Sequence, residues 1–246
     1  MRIFGLLGYP LTHSFSKKYF SNKFEEENIL ETVYENFEVE NLEGFRLSMD
    51  KVIGLAGLNV TIPYKEKVIP FLDESNEIVN VIKACNCIKI ANRKWIGYNT
   101  DVLAFRQSFE PGLQPNHTKA AILGTGGASK AVAYVLKELG IEVVFVSNTR
   151  FGQGFFSYAE FTEEMTKSCP IIINTTPLGT FPDVSSYPPI PYKALTPSHY
   201  LYDLVYNPEK TQFLLKGGKY GSQIKNGAEM LQLQAEESWR IWNEIK

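Results

Sequence analysis

Short apolar runs recur along the chain at residues 3–7, 32–37, 55–60, 85–90, 120–123, 143–146, 171–173 and 200–204. Each has the length of a strand. Between them lie longer helix-like stretches, at 16–27, 102–109, 128–139 and 228–245. Strands alternating with helices predict an α/β fold with parallel sheets built from β-α-β units. The last helix carries Met230, Leu231, Leu233, Trp239, Ile241 and Trp242, so it reads as a docking helix with one apolar face.

Two loops punctuate this pattern. Glu110-Pro111-Gly112-Leu113-Gln114-Pro115-Asn116 combines two prolines, a glycine and polar residues, the composition of a boundary. A second loop, 181–197, holds Pro182, Pro188, Pro189, Pro191 and Pro197 and is expected to be a long ordered connection on the surface. The chain is therefore expected to have one half ending near residue 101 and a nucleotide-type half after it.

At 246 residues the chain suits one large domain or two small ones, enough to fold without disulfides or metal. Lys plus Arg number 25 against 27 Asp plus Glu, a net charge of −2 with no block of one sign. A nucleic-acid binder usually shows a basic excess, so no nucleic-acid partner is expected. No apolar run approaches the roughly 18 residues of a membrane helix, and the first ten residues read as a strand rather than a signal peptide. Three cysteines, Cys85, Cys87 and Cys169, argue for a reducing compartment and a cytoplasmic protein. They lack zinc spacing, so no metal is expected and the thiols read as small apolar residues.

The clearest chemical signal is Gly124-Thr125-Gly126-Gly127-Ala128-Ser129, set between a predicted strand and helix, with a second strand following. That context makes a glycine loop a dinucleotide site: Gly124 for the tight turn, Gly126 for close approach to a pyrophosphate, and the helix start near Ala128 for its free N–H groups. An NAD site usually has an acid about 20 residues past the first glycine. Here Ser147-Asn148-Thr149-Arg150 stands instead. A carboxylate would repel a 2′-phosphate, whereas Arg150 attracts one, so NADP is expected.

Four polar clusters lie near predicted strand ends in the first half: His13-Ser14-Phe15-Ser16, Asn59 to Lys65, Cys85-Asn86-Cys87, and Gly97-Tyr98-Asn99-Thr100-Asp101. Their hydroxyls, amides, lysine and aspartate suit a small ligand with a carboxylate and several hydroxyls. Each alone also has a structural reading. Ser14, Ser16 and Asp101 suit helix caps, Asn59 and Asn86 suit turns, and Lys65 suits a solvated surface.

Taken in order, H-S-F-S, N-V-T-I-P-Y-K-E, C-N-C, G-Y-N-T-D and G-T-G-G-A-S resemble the shikimate dehydrogenase family. So do Asn174-Thr175-Thr176-Pro177-Leu178-Gly179, Asp203-Leu204-Val205-Tyr206-Asn207-Pro208 and the segment from Asn226 to Ala235. The resemblance covers nearly the whole chain. It implies NADPH-dependent reduction of 3-dehydroshikimate to shikimate in aromatic amino-acid and chorismate biosynthesis. It also implies an N-terminal α/β substrate domain (1–101, completed by a C-terminal helix at 227–246) and a Rossmann-like NADP-binding domain (102–226). By the same resemblance Ser14 and Ser16 bind the substrate carboxylate, while Thr61, Asn86, Tyr206 and Gln234 complete the substrate site. Lys65 and Asp101 are the implied catalytic pair. Gly124, Gly126, Gly127, Ala128, Asn148, Thr149, Arg150, Thr175 and Gly227 are the implied cofactor residues.

The chemistry wants such a pair independently, because hydride arriving on a ketone leaves an oxyanion that needs a donor. The chain departs from the family's usual Asn-Arg-Thr at Asn148-Thr149-Arg150, has Thr180 where methionine is usual, and is some two dozen residues shorter than typical members. Competing readings are a quinate or NAD-using relative and an inert ligand-sensing paralogue. Ser14 with Ser16 favours shikimate, and retention of Lys65 and Asp101 favours activity. The small-molecule substrate is the expected partner, with the enzyme a monomer or homodimer.

Overall fold

Contacts in the computed structural model, which describes residues 1–11, 15–150 and 152–244, divide the chain into two units. Unit 1 is Met1–Thr100 with Ala235–Lys246, and unit 2 is Asp101–Gln234.

Unit 1 is built on β1 (Arg2–Gly8), β2 (Thr32–Glu38), β3 (Leu55–Val60), β4 (Glu74–Ser75), β5 (Cys87–Ala91) and β6 (Lys94–Tyr98), in the sheet order β2-β1-β3-β5-β6-β4. On one face lies α1 (Phe15–Glu26); on the other lie α2 (Phe45–Met49) and α3 (Glu77–Ile82). Along β1, Phe4 and Leu6 enter the core under α1, whereas Leu7 enters the opposite core with Leu58, Val60 and Trp95. A strand covered on both faces needs apolar residues at consecutive positions, which is why β1 reads as an unbroken run.

β1 runs parallel to both β2 and β3. The all-parallel expectation fails at β5, which is antiparallel to β3 and to β6. β5 and β6 form a hairpin joined by Asn92 and Arg93, with φ of 52° and 63°. Two left-handed residues make a turn that matches the twist of an antiparallel pair, and so short a link cannot make a parallel crossover. Arginine in the second turn position hides this hairpin from a reader looking for glycine. The strand expected from residue 85 accordingly starts at Cys87.

Unit 2 holds β7 (Lys119–Leu123), β8 (Glu142–Val146), β9 (Phe155–Phe156), β10 (Ile171–Asn174), β11 (Tyr200–Asp203) and β12 (Gln223–Lys225), with α4 (Asp101–Phe109), α5 (Gly127–Glu138), α6 (Glu163–Ser168) and α7 (Gln212–Lys219). All pairs are parallel, in the order β12-β11-β10-β7-β8-β9. Counted from β7 this is the doubly wound 3-2-1-4-5-6 arrangement, in which the strand order reverses between β7 and β10. The proline-rich loop expected on the surface is partly core: Ile190 and Leu195 pack with Leu201 and Phe213. Its prolines fix an extended path that carries two apolar side chains inward.

The last helix, α8 (Ala228–Asn243), begins in unit 2 and ends in unit 1. In unit 1 Trp242 stacks on Phe4 at 4.7 Å and donates from Nε1 to the Ile88 carbonyl at 3.0 Å. Gly57 of β3 has no room for a side chain because the Trp242 indole occupies that space. The buried Lys89 ammonium donates to the Ile241 carbonyl at 2.9 Å and to that of Glu244. A cation there satisfies end carbonyls and complements the negative pole of the helix.

Candidate active site

The strand registers bring first-half candidates together at one end of the central strands of the unit 1 sheet. Asn59, next to the end of β3, pairs with Cys87 at the start of β5, which pairs with Tyr98 at the end of β6. The loops leaving β1 and β3 are tied by Thr61 N–H donating to the Leu7 carbonyl at 2.9 Å and Tyr9 N–H donating to that of Ile62 at 3.1 Å. Ser16 lies buried in the first turn of α1. Ser14 lies outside the described residues. Thr61 is half-buried, and its methyl group fills the space a side chain on Gly8 would need. Lys65 is half-buried, and its carbonyl accepts from Cys85 N–H at 2.7 Å, anchoring the backbone that carries the ammonium.

Asn86 is buried and uses both ends of its amide on Thr100. Oδ1 accepts from Thr100 N–H at 2.7 Å, and Nδ2 donates to Thr100 Oγ1 at 2.9 Å. It thereby fixes the residue before Asp101. Asn59 is likewise engaged, accepting from the Tyr34 hydroxyl at 2.9 Å and donating to Ser238 Oγ at 2.8 Å. Cys85 and Cys87 are buried thiols outside any disulfide, Cys85 Sγ lies 3.4 Å from the Cys87 carbonyl, and burial pushes the Cys87 thiol well up.

In unit 2 the glycine turn sits at the reversal point of the sheet. Gly124 has φ +102°, and a side chain there would meet Thr175 Oγ1. Thr175 donates to the Leu123 carbonyl from N–H at 2.9 Å and from Oγ1 at 2.7 Å, stitching β10 to β7. Gly126 caps α5 without a side-chain acceptor and faces open space. The first N–H groups of α5, from Gly127 and Ala128 onward, therefore lack a side-chain cap at the positive end of a twelve-residue helix. Beyond β8, Asn148, Thr149 and Arg150 are exposed. Ser147 Oγ accepts from Thr149 N–H at 3.1 Å, giving the turn a fixed shape. Arg150 makes no hydrogen bond or ion pair to another described residue. A cradle that a Cβ would close, an uncapped helix start and an exposed guanidinium with no acid between Val146 and Arg150 fit a phosphorylated dinucleotide.

The neighbouring loops are held from below. Asn174 Oδ1 accepts from Thr176 N–H at 3.0 Å, while Asp203 accepts from Val205 N–H at 3.0 Å and from Thr211 Oγ1 at 2.6 Å. Burial pushes the Asp203 carboxyl up to about 6, against the lowering effect of these bonds. Sequence reasoning did not single out Asp203 by role, although it opens a quoted motif. Tyr206, two residues past Val205's neighbour Leu204, is half-buried, and burial raises its phenol. Gly227 is buried against the Leu204 backbone, leaving no space for a side chain. Asp101 opens α4 as a buried residue. Gln234 is also buried, and its Nε2 donates to the Leu231 carbonyl at 2.9 Å. Ser16, Thr61, Lys65 and Asn86 thus belong to unit 1, and the remaining described candidates to unit 2.

Among the described residues no three His, Cys, Asp or Glu side chains converge as a metal site. No helix is long and apolar enough to cross a membrane.

A doubly wound parallel sheet with a glycine turn at its reversal point defines unit 2 as a dinucleotide-binding fold, here joined to a second α/β unit. A family profile described as the shikimate dehydrogenase substrate binding domain matches residues 6–88. A shikimate dehydrogenase (NADP(+)) of Caldicellulosiruptor saccharolyticus is 38% identical, over 98% of this chain and 91% of that one. Among solved structures, shikimate dehydrogenase 1 of Peptoclostridium difficile superposes with a TM-score of 0.85 at 34% identity, covering 100% of this chain and 93% of that one. Shikimate 5-dehydrogenase of Thermus thermophilus, in complex with NADP(H) and shikimate, superposes with a TM-score of 0.85 at 28% identity, covering 100% and 94%. The chain belongs to the shikimate dehydrogenase family.

Proposed function

We propose that the chain catalyses the reversible NADPH-dependent reduction of 3-dehydroshikimate to shikimate, a step of aromatic amino-acid and chorismate biosynthesis. One observation carries this reading above the rest. The chain pairs a unit like the family's substrate binding domain with a doubly wound unit whose glycine turn and exposed Arg150 suit NADP. NADPH, when bound, supplies the hydride that adds to the carbonyl carbon. Gly124, Gly126, Gly127 and Ala128 would hold its pyrophosphate, and Asn148, Thr149 and Arg150 its adenosine phosphate. Thr175 and Gly227 would line the rest of its path.

Ser16, with Ser14, binds the substrate carboxylate by hydroxyl donation. Thr61, Asn86, Tyr206 and Gln234 complete the polar lining for the ring hydroxyls. Lys65 donates to the carbonyl oxygen and delivers the proton that turns the developing alkoxide into the hydroxyl. Asp101 accepts from a ring hydroxyl and orients the ammonium. One hydride and one proton are thus added across the carbonyl bond. The three buried cysteines, none of them in a disulfide, support a cytoplasmic enzyme. It is a monomer or homodimer in this reading.

The deciding experiment follows NADPH absorbance with 3-dehydroshikimate, then compares shikimate and quinate in the reverse direction. Substrate-dependent NADPH oxidation, with shikimate strongly preferred over quinate, is expected. No NADPH consumption with 3-dehydroshikimate overturns the reading.

A further inference from the structure

Unit 1 buries a run of polar side chains of which the proposed chemistry uses only Asn86. Tyr34 on β2 donates from its hydroxyl to Asn59 Oδ1 at 2.9 Å, and Asn59 Nδ2 donates to Ser238 Oγ at 2.8 Å. Ser238 Oγ lies 3.5 Å from Thr100 Oγ1, and Asn86 grips the same threonine at both its N–H and its hydroxyl. All five side chains are at most 3% exposed, and Ser238 and Thr100 are fully buried. Burial also pushes the Tyr34 phenol far up, so it stays a donor.

Leaving such groups unpaired is costly, so a buried polar cluster persists only when its members satisfy one another. A satisfied cluster fixes one geometry, which apolar packing alone does not. Five separate chain segments meet in this one: β2 through Tyr34, β3 through Asn59, the residue before β5 through Asn86, the segment after β6 through Thr100, and the returning helix α8 through Ser238. Thr100 is bonded covalently to Asp101, and Ser238 lies one turn beyond Gln234 on the same helix.

We propose that Ser238 and Thr100 are positioning residues, which use the buried cluster to fix where the chain presents Asp101 and Asn86 to the substrate. This inference rests on the functional reading above. The hydroxyl of Ser238 makes the docking of α8 more than apolar contact, because it sets the last link between β3 and the start of the Asp101 helix.

The test measures Ser238→Ala, Thr100→Val and Thr100→Ser for melting temperature, for kcat and for KM toward shikimate and NADP. Ser238→Ala and Thr100→Val are expected to lower kcat/KM for shikimate about tenfold, with KM for NADP within about twofold of wild type. Thr100→Ser, which keeps the hydroxyl, should recover most of that loss. Lower melting temperatures with unchanged kinetics overturn the proposal, as does equal loss in Thr100→Ser and Thr100→Val. If Thr100→Val fails to fold, Ser238→Ala alone decides between these outcomes. If the wild type turns over no 3-dehydroshikimate, the functional reading falls separately. The cluster is then judged by unfolding of Ser238→Ala, Thr100→Val and the double variant: non-additive losses uphold the link, and additive losses overturn it.

Discussion

Asn174 and Asp203 stand opposite each other at the carboxyl ends of adjacent parallel strands, and Asn174 Nδ2 donates to Asp203 Oδ1 at 2.9 Å. Each side chain also holds the loop that follows its own strand, Asn174 through Thr176 and Asp203 through Val205. A single buried bond therefore ties the loop of Thr175, proposed to line the cofactor, to the loop of Tyr206, proposed to line the substrate.

That arrangement has a pH signature. Burial raises the Asp203 carboxyl from 3.8 to about 6. For a group raised on folding, the contribution to stability is complete below the unfolded value and is lost as pH rises through the folded one. From about pH 3 to about pH 7 the wild type should lose roughly 3 kcal/mol from this group, about two thirds of it between pH 4 and pH 6. Asp203→Asn cannot titrate, so the stability gap between wild type and variant should shift by that amount in favour of the variant. Urea unfolding of both proteins across this range checks it. A gap independent of pH would mean that Asp203 titrates as an ordinary carboxylate.

Lys65→Ala should fold normally and lose about 10²- to 10⁴-fold in turnover, the usual effect of removing an acid or oxyanion donor. Its backbone anchor, the carbonyl bond from Cys85, survives the substitution. Circular dichroism with steady-state kinetics checks both halves. Turnover near wild type would remove Lys65 from the chemistry.

Asp101→Asn preserves shape at the start of α4 and removes a buried charge. Both kcat and affinity for shikimate should fall, because the ammonium loses its orienting partner and a ring hydroxyl its acceptor. A drop in melting temperature alone, with kinetics intact, would make Asp101 a helix-start residue only.

Arg150→Ala should raise KM for NADPH about 10- to 150-fold, the worth of one charge-assisted contact of roughly 1.5–3 kcal/mol. KM for NADH should barely move, since no acid stands between Val146 and Arg150 to hold a free ribose hydroxyl. Equal losses with both cofactors would show that Arg150 does not read the 2′-phosphate.

Trp242→Ala removes the indole that fills the space above Gly57 and stacks on Phe4. The expected cost is about 3–5 kcal/mol of stability, read by denaturant unfolding. A loss under about 1 kcal/mol would mean that the end of α8 contributes little to the unit 1 core.

Features that depend on neighbours along the chain are legible in the amino-acid sequence. Consecutive apolar residues specify strands buried on both faces, and Gly124 must be glycine because the chain turns there with φ +102°. The run from Lys119 through the glycine turn to Val146 is one contiguous β-α-β unit, so its fold and its candidate cofactor chemistry were legible together. The hairpin at Asn92 and Arg93 was not, because the left-handed turn there lacks the glycine that usually marks one. Which polar groups meet depends instead on the assembled fold. Asn86 reads equally as a ligand-binding amide or a turn residue until β5 and β6 bring it against Thr100, 14 positions away. Ser238 carries no motif, yet it meets Asn59 across 179 residues. Periodicity specifies which face of an element is buried, but a hydrogen bond forms between whatever donors and acceptors the topology places within about 3 Å. That proximity is a property of the strand order, which no local stretch of sequence contains.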